Sequence, residues 1–224
     1  MQLTKQCFRL FGPLLMTLGA AHGQRYEITP LVGGMYGGTV KLEQEDVPNI
    51  DAHLGDSLSF GLAGGFRFDA DDIGGDICNL CNLIEFRWLR QETHLRLDED
   101  PLVPTPVTVS AFHPRVTIDN FLADFTREWP VEDARKLRPF LTATVGASLL
   151  SAPAGNATRL VFGIGTGLKI FPKPRWGIVF QVEYLPVVMS VDVQRVVCTT
   201  GCIVALGGGV MNRFGFTVGP TFRF

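Results

Sequence analysis

Long hydrophobic runs are missing from this chain. Hydrophobic residues make up 46 % of its 224 positions, yet nowhere do they follow one another for the ~18 or more residues that mark a membrane-crossing helix. A helical membrane protein is therefore excluded. Charge of one sign is also lacking. The 20 Lys and Arg stand against 22 Asp and Glu, a formal net charge of −2, so no basic surplus draws the chain to a nucleic acid. Histidine is scarce. Beyond Gln24 only His53, His94 and His113 remain. None has a nucleophile and an acid beside it at a fixed spacing, so each reads as a surface or lumen histidine rather than a general base. Tyr and Trp number three each, against 17 Phe and 25 Gly. A soluble sandwich this rich in Phe would need two packed sheets to bury the rings.

The apolar residues that are present recur at every second position. In Val210–Phe224 (VMNRFGFTVGPTFRF), Phe214, Phe216, Val218, Phe222 and Phe224 alternate with Arg213, Gly215, Thr217, Gly219, Thr221 and Arg223. A period of two makes this a strand with one oily and one wet face. Seven more runs follow the same rule. Tyr26, Ile28, Val32 and Tyr36 share a face in 26–38, and Leu58, Phe60, Leu62, Phe66 and Phe68 do so in 57–69. Ile84, Phe86 and Trp88 oppose Glu85, Arg87 and Gln91 in 82–95. Leu141, Ala143, Val145, Ala147 and Leu149 share a face in 138–150, and Leu160, Phe162, Ile164, Leu168 and Ile170 in 158–171. In 176–189 Ile178, Phe180, Val182, Tyr184 and Val188 oppose Gln181 and Glu183. The fourth run is the least regular. It begins near Val107, with AFHPRV as its core, Phe112 and Val116 outward and Arg115 inward. Ile118–Trp129 either extends that strand or forms a short helix. Each run exceeds the ~9–11 residues a tilted strand needs to cross a bilayer.

The expected fold is all-β: an eight-stranded antiparallel up-and-down transmembrane β-barrel. Closure satisfies every backbone donor and acceptor in lipid, where an open edge would not. With the N-terminus periplasmic, residues 39–56, 96–106 and 190–209 are outer-loop segments that would carry partner contacts, and Phe171–Arg175 (FPKPR) is a tight periplasmic turn.

Residues 1–23 read as a secretory signal peptide. Lys5 and Arg9 precede the short apolar run Leu10–Ala21, and small residues stand at Ala21 and Gly23, which predicts cleavage before Gln24. Cys7 lies ahead of the apolar run, so it is not a lipoprotein anchor. Loss of Lys5 and Arg9, with no acid, would leave 24–224 two charges more negative. A leader, eight alternating strands and a terminal aromatic together resemble the outer membrane protein A-type family of small β-barrels. The resemblance spans nearly all of 24–224. It implies a bacterial outer-membrane location in contact with outer-membrane lipid, and structural or adhesive roles that sometimes include a small pore. It also implies that Phe222 and Phe224 form a C-terminal signal read by the barrel-assembly machinery.

Cys78 with Cys81 (CNLC) and Cys198 with Cys202 (CTTGC) form two close pairs. In an oxidising compartment they read as local disulfides. The topology puts the pairs at opposite barrel ends, too far apart for one tetrahedral metal site. Strand parity points Glu27, Arg67, Glu85, Arg87, Arg115, Lys169, Glu183, Arg213 and Arg223 into the lumen, because charge facing hydrocarbon costs ~2–4 kcal/mol at the midplane. Eight strands enclose a space about filled by side chains, so a structural charge network is expected. A restricted pore is the alternative, and six cations against three acids would make it anion-selective.

Three further patterns carry little. Gly163, Gly165 and Gly167 alternate along a strand with no helix to receive a phosphate. Asn156-Ala-Thr158 is an incidental glycosylation match. Asp69, Asp71, Asp72 and Asp76 lack EF-hand spacing. No cofactor is expected. The function so read is a non-enzymatic outer-membrane barrel with a structural or surface-interaction role and an unidentified extracellular partner. The alternatives are a small pore, a lipid-modifying enzyme, and a soluble periplasmic lipid-binding barrel, which would reverse the facing.

Overall fold

The structure, a computed structural model, describes residues 25–44, 47–68, 81–97, 115–131, 136–152, 155–189, 195–197, 203–206 and 209–224. These residues form strands and turns, with no helix among them. In chain order the strands are β1 (Tyr26–Tyr36), β2 (Thr39–Gln44), β3 (Val47–Leu54), β4 (Ser57–Arg67), β5 (Leu83–Leu97), β6 (Arg115–Glu128) and β7 (Leu137–Ala152). They continue as β8 (Gly155–Lys173), β9 (Trp176–Tyr184), β10 (Val187–Met189), β11 (Arg195–Val197), β12 (Ile203–Leu206), β13 (Gly209–Met211) and β14 (Phe214–Arg223).

Eight of these close a barrel in the order β1, β4, β5, β6, β7, β8, β9, β14, with β14 returning to β1. Every pairing is antiparallel. The seam runs from Glu27↔Arg223 to Tyr36↔Phe214. β10 and β13 carry β9 and β14 onward past short breaks and pair with each other. Close approach at the seam demands a missing side chain. A Cβ on Gly219 would lie 1.8 Å from the Pro30 carbonyl oxygen.

The two ends of the barrel differ. At one, the turn end, β8 and β9 join through Pro174 and Arg175, and β1 begins where β14 stops. At the other, the loop end, the wall continues into hairpins. β2 pairs with β3, β3 continues onto β5 through Ala52↔Leu97, and β12 of the β11–β12 hairpin lies on β2 through Ala205↔Glu43. Expected loops 39–56 and 190–209 therefore contain paired strands.

Outside, the barrel is apolar. Leu58 is 78 % exposed and Phe86 70 %, and Phe60, Leu62, Phe121, Phe125, Leu141, Phe162, Ile164, Phe180, Val182, Phe216 and Phe222 are all exposed. Inside lie Glu27, Arg87, Asp124, Glu128, Lys169, Glu183 and Arg213, all buried. This facing suits lipid outside and rules out the soluble barrel, which needs the opposite. Tyr26, Trp129 and Trp176 face outward at the turn end, and Tyr36 and Tyr184 toward the loop end, as amphipathic rings do at bilayer interfaces. Ten strand steps separate Tyr26 from Tyr36 on β1. At ~3.3 Å per step and ~40° tilt these give a belt ~25 Å tall, the height of an outer-membrane hydrocarbon band.

β6 departs from expectation in part. Ile118–Glu128 extends the strand that begins at Arg115, the first of the two expected readings, and is not a helix; the segment before Arg115 lies outside the described residues, as does Phe112. Its parity is reversed. Arg115 faces outward and Val116 is buried. The reason is chemical: the inner face of β6 mixes Val116, Ile118 and Leu122 with Asn120, Asp124 and Glu128, so alternation of polarity is blurred. Arg115 tolerates its outward position because it lies near the loop end, 4.0 Å from Glu92 and beyond the apolar belt. Phe68, expected outward, is buried where the chain leaves β4.

Candidate functional site in the barrel lumen

The lumen is built in layers. Nearest the turn end, Glu27 on β1 meets Arg67 at 2.7 Å, Arg223 at 2.7 Å and Lys169 at 2.8 Å. Glu128 on β6 meets Arg67 at 2.7 Å and Lys169 at 3.0 Å, with Arg223 and Arg138 at 3.7 and 3.8 Å. Glu85 lies 3.4 Å from Lys169. Two carboxylates on strands far apart in sequence thus share three cations, which ties β1, β4, β6, β8 and β14 together. Arg223 also stacks 3.4 Å above the Phe171 ring, a contact that suits a planar guanidinium.

Above this layer, Arg87 pairs with Asp124 at 2.8 Å and Glu183 at 2.6 Å, and the Thr144 hydroxyl donates to Asp124 at 2.5 Å. Next, Arg213 donates to the side-chain oxygens of Gln91 and Asn120, and the Ser148 hydroxyl donates to Asn120. The loop-end layer is mostly apolar, though Thr93 and Arg159 are also buried there. Met35, Leu54, Val116, Ile118, Val161, Leu185, Val187, Met189 and Met211 form a buried cluster across the barrel.

Of the nine charges expected inside, the structure brings Glu27, Arg67, Glu85, Arg87, Lys169, Glu183, Arg213 and Arg223 to the interior and leaves Arg115 outside, its side chain 69 % exposed. It adds Arg159 on β8 and, on β6, Asp124 and Glu128, whose inner parity is hidden among Val116, Ile118 and Leu122. A signal was there: Phe121, Phe125 and Trp129 recur every fourth residue, which fixes the odd positions as outward. Counting these additions, the five acids Glu27, Glu85, Asp124, Glu128 and Glu183 stand against the six buried or half-buried cations Arg67, Arg87, Arg159, Lys169, Arg213 and Arg223, with Arg138 beside Glu128 at the turn-end rim. The expected two-to-one excess of cations shrinks, and with it the ground for anion selectivity.

Between Thr29, Leu31, Ala63, Glu85, Arg87, Asp124 and Lys169 lies a cavity of about 10 Å³, room for a single water at most. A larger recess of about 530 Å³ indents the outer wall between Tyr36, Leu141, Ile164, Val182, Tyr184 and Phe216, and faces hydrocarbon.

The other predicted residues fall elsewhere. Phe222 and Phe224 face outward at the turn end, about half exposed. Cys81 is half-buried before β5, while Cys78, Cys198 and Cys202 lie outside the described residues. So do His113 and the acidic stretch 69–76. His94 is exposed on the outer face of β5, and His53 lies 3.0 Å from the Thr39 hydroxyl. Neither enters the lumen network. Among the described residues no group of acids, His and Cys is arranged to hold a metal.

No family model matches the chain, and no curated protein does. Among solved structures it is similar to Neisserial surface protein A, at 10 % identity and TM-score 0.49, over 91 % of this chain and 100 % of that one. It is similar to the outer membrane protease OmpT from Escherichia coli at 8 % identity and TM-score 0.45, over 89 % and 97 %. The attachment invasion locus protein Ail of Yersinia pestis matches at 13 % and 0.36, over 89 % and 99 %. Identities this low concern the fold alone. The chain's own architecture, closed, even in strand number and apolar outside, is that of a small β-barrel of the bacterial outer membrane.

Proposed function

We propose that this is a closed-lumen barrel that works by contact at its loop end, and neither by passage nor by catalysis. The observation that carries this reading is the asymmetry of the wall. At the turn end β8 and β9 meet in a tight reversal, whereas at the loop end the wall rises past the apolar belt into the paired hairpins β2–β3 and β11–β12. The outer face there turns polar, with Arg90, Glu92, His94, Arg115 and Asp119 on β5 and β6. A structured polar surface beyond the bilayer suits an extracellular partner.

The packed lumen speaks against a pore. An ion would have to displace charges paired across the lumen, since Glu27, Asp124, Glu128 and Glu183 are held by its own cations. As part of the same reading, residues 1–23 are a cleaved leader, and Phe222 and Phe224 are an assembly signal for insertion with the loop end outward. A variant Phe224→Ser should then accumulate unassembled.

The test compares bacteria displaying the intact chain with bacteria displaying a chain whose 39–54 hairpin is replaced by a short Gly-Ser link. Attachment is scored on sulfated-glycan, uronic-glycan and protein-coated surfaces. Loss of attachment in the shortened chain, with its heat-dependent gel shift retained, supports contact at this end. Equal attachment by both, or none by either, sinks the reading.

A further inference from the structure

One lumen cation stands apart from the ion-paired network. Arg67, Arg87, Lys169 and Arg223 each meet carboxylates, and Arg213 reaches two side-chain amide oxygens. Arg159, on β8 near the loop end, is 6 % exposed, and its recorded bond runs from Nη1 to the Thr158 carbonyl oxygen at 3.2 Å. Its Nε and Nη2 are buried without partners. Parity and burial turn it inward, opposite Ser148 on β7. It sits between the Ser148–Asn120–Arg213 layer and the apolar loop-end cluster, to which its strand neighbour Val161 and Val187 opposite belong.

A buried guanidinium without a counter-charge is costly. Here the two unpartnered nitrogens are not arbitrary. Nε and Nη2 lie along one edge of the guanidinium and donate in parallel, the fork that grips both oxygens of a carboxylate, sulfate or phosphate. Nη1, on the opposite side, is the one nitrogen already engaged. The lumen below cannot supply an anion, because its five carboxylates are held by its own cations.

We propose that Arg159 is an oxyanion-recognition residue at the loop-end mouth, binding an acidic group of an extracellular ligand through its Nε–Nη2 edge. This rests on the loop end being the contact surface and names the chemistry that surface recognises.

The test is an NMR titration of arginine Nε–H signals in the refolded full chain in micelles. Sodium phosphate, sulfate and acetate are added in turn, with sodium chloride at matched ionic strength as control. The Arg159 signal is identified by its loss in Arg159→Lys. The expected result is that this signal moves and saturates while those of Arg87 and Arg213 stay in place. Saturation with phosphate or sulfate but not acetate identifies a phosphorylated or sulfated ligand, and the reverse a carboxylated one. A signal unmoved by all three, or one that drifts with the other arginines in chloride, overturns the proposal. Arg159→Met gives a second readout. It should keep the heat-dependent gel shift and an unfolding midpoint at or above the parent's, and lose the anion-induced rise in midpoint. If it fails to fold, Arg159 is structural and the proposal falls. A silent Arg159 in a barrel that does not conduct sinks this site alone, whereas steady conductance sinks the closed-lumen reading.

Discussion

The turn-end and loop-end halves of the lumen solve one problem in opposite ways. Both must fill the inside of a narrow barrel whose outside is committed to lipid. The turn-end half fills it with charge, and Glu27 and Glu128 each gather several cations. The loop-end half fills it with Met, Val, Leu and Ile. The charged half is cross-linked between strands distant in sequence, so its groups depend on one another. The apolar half depends on shape and volume, and tolerates one unpaired guanidinium. Removing a group should therefore cost most where charges are shared and least where nothing is shared.

That ordering can be broken by experiment. The largest effect is expected for Glu27→Gln. It leaves Arg67, Lys169 and Arg223 with one carboxylate fewer in a buried site, a loss of about 3–5 kcal/mol, read as a lowered urea midpoint for the refolded barrel. Ile118→Ala in the loop-end cap should cost about 2–4 kcal/mol by the same measurement, from lost burial and a cavity. If it costs more than Glu27→Gln, the contrast between the halves is wrong. Phe86→Arg moves the question to the outer wall. It places charge on a residue 70 % exposed toward hydrocarbon and should cost about 2–3 kcal/mol in a bilayer, while a soluble barrel would not notice it. Arg115→Ala should shift stability by no more than about 0.5 kcal/mol, because its pair with Glu92 is long and solvated.

How much of this was legible in the sequence follows from where polarity contrast exists. On β1, β4, β8 and β14 the outward residues are mostly apolar and large and the inward ones mostly Gly, Ser, Thr or charged, so period two reads cleanly. On β6 Val116, Ile118 and Leu122 point inward, while Asp119 and Arg127 fall on the outward parity. The contrast collapses, and Arg115 was placed on the wrong side. Asp124 and Glu128 are then hidden, and with them most of the counter-charge that weakens the case for anion selectivity. Arg213 and Lys169 were legible because their strands were. The apolar cap was not, because period two reports which side a residue takes and not that the inner side changes character along the barrel. The pairing of β2 with β12 was equally hidden: it joins segments more than 150 residues apart, and nothing local in either specifies the other.

The cysteines offer a smaller check. Intact mass before and after reduction and alkylation should show Cys78 with Cys81, and Cys198 with Cys202, oxidised as two local pairs. A cross-linked dimer would contradict that.

The most direct test of the closed, ion-paired lumen is the conductance of the purified, heat-modifiable barrel reconstituted in a planar bilayer. The expected result is a bilayer that stays electrically silent across the voltage range in which it is itself stable. A steady, ion-selective conductance that scales with the amount of protein would show that the packed charges do not seal the barrel, and would contradict the account at its centre.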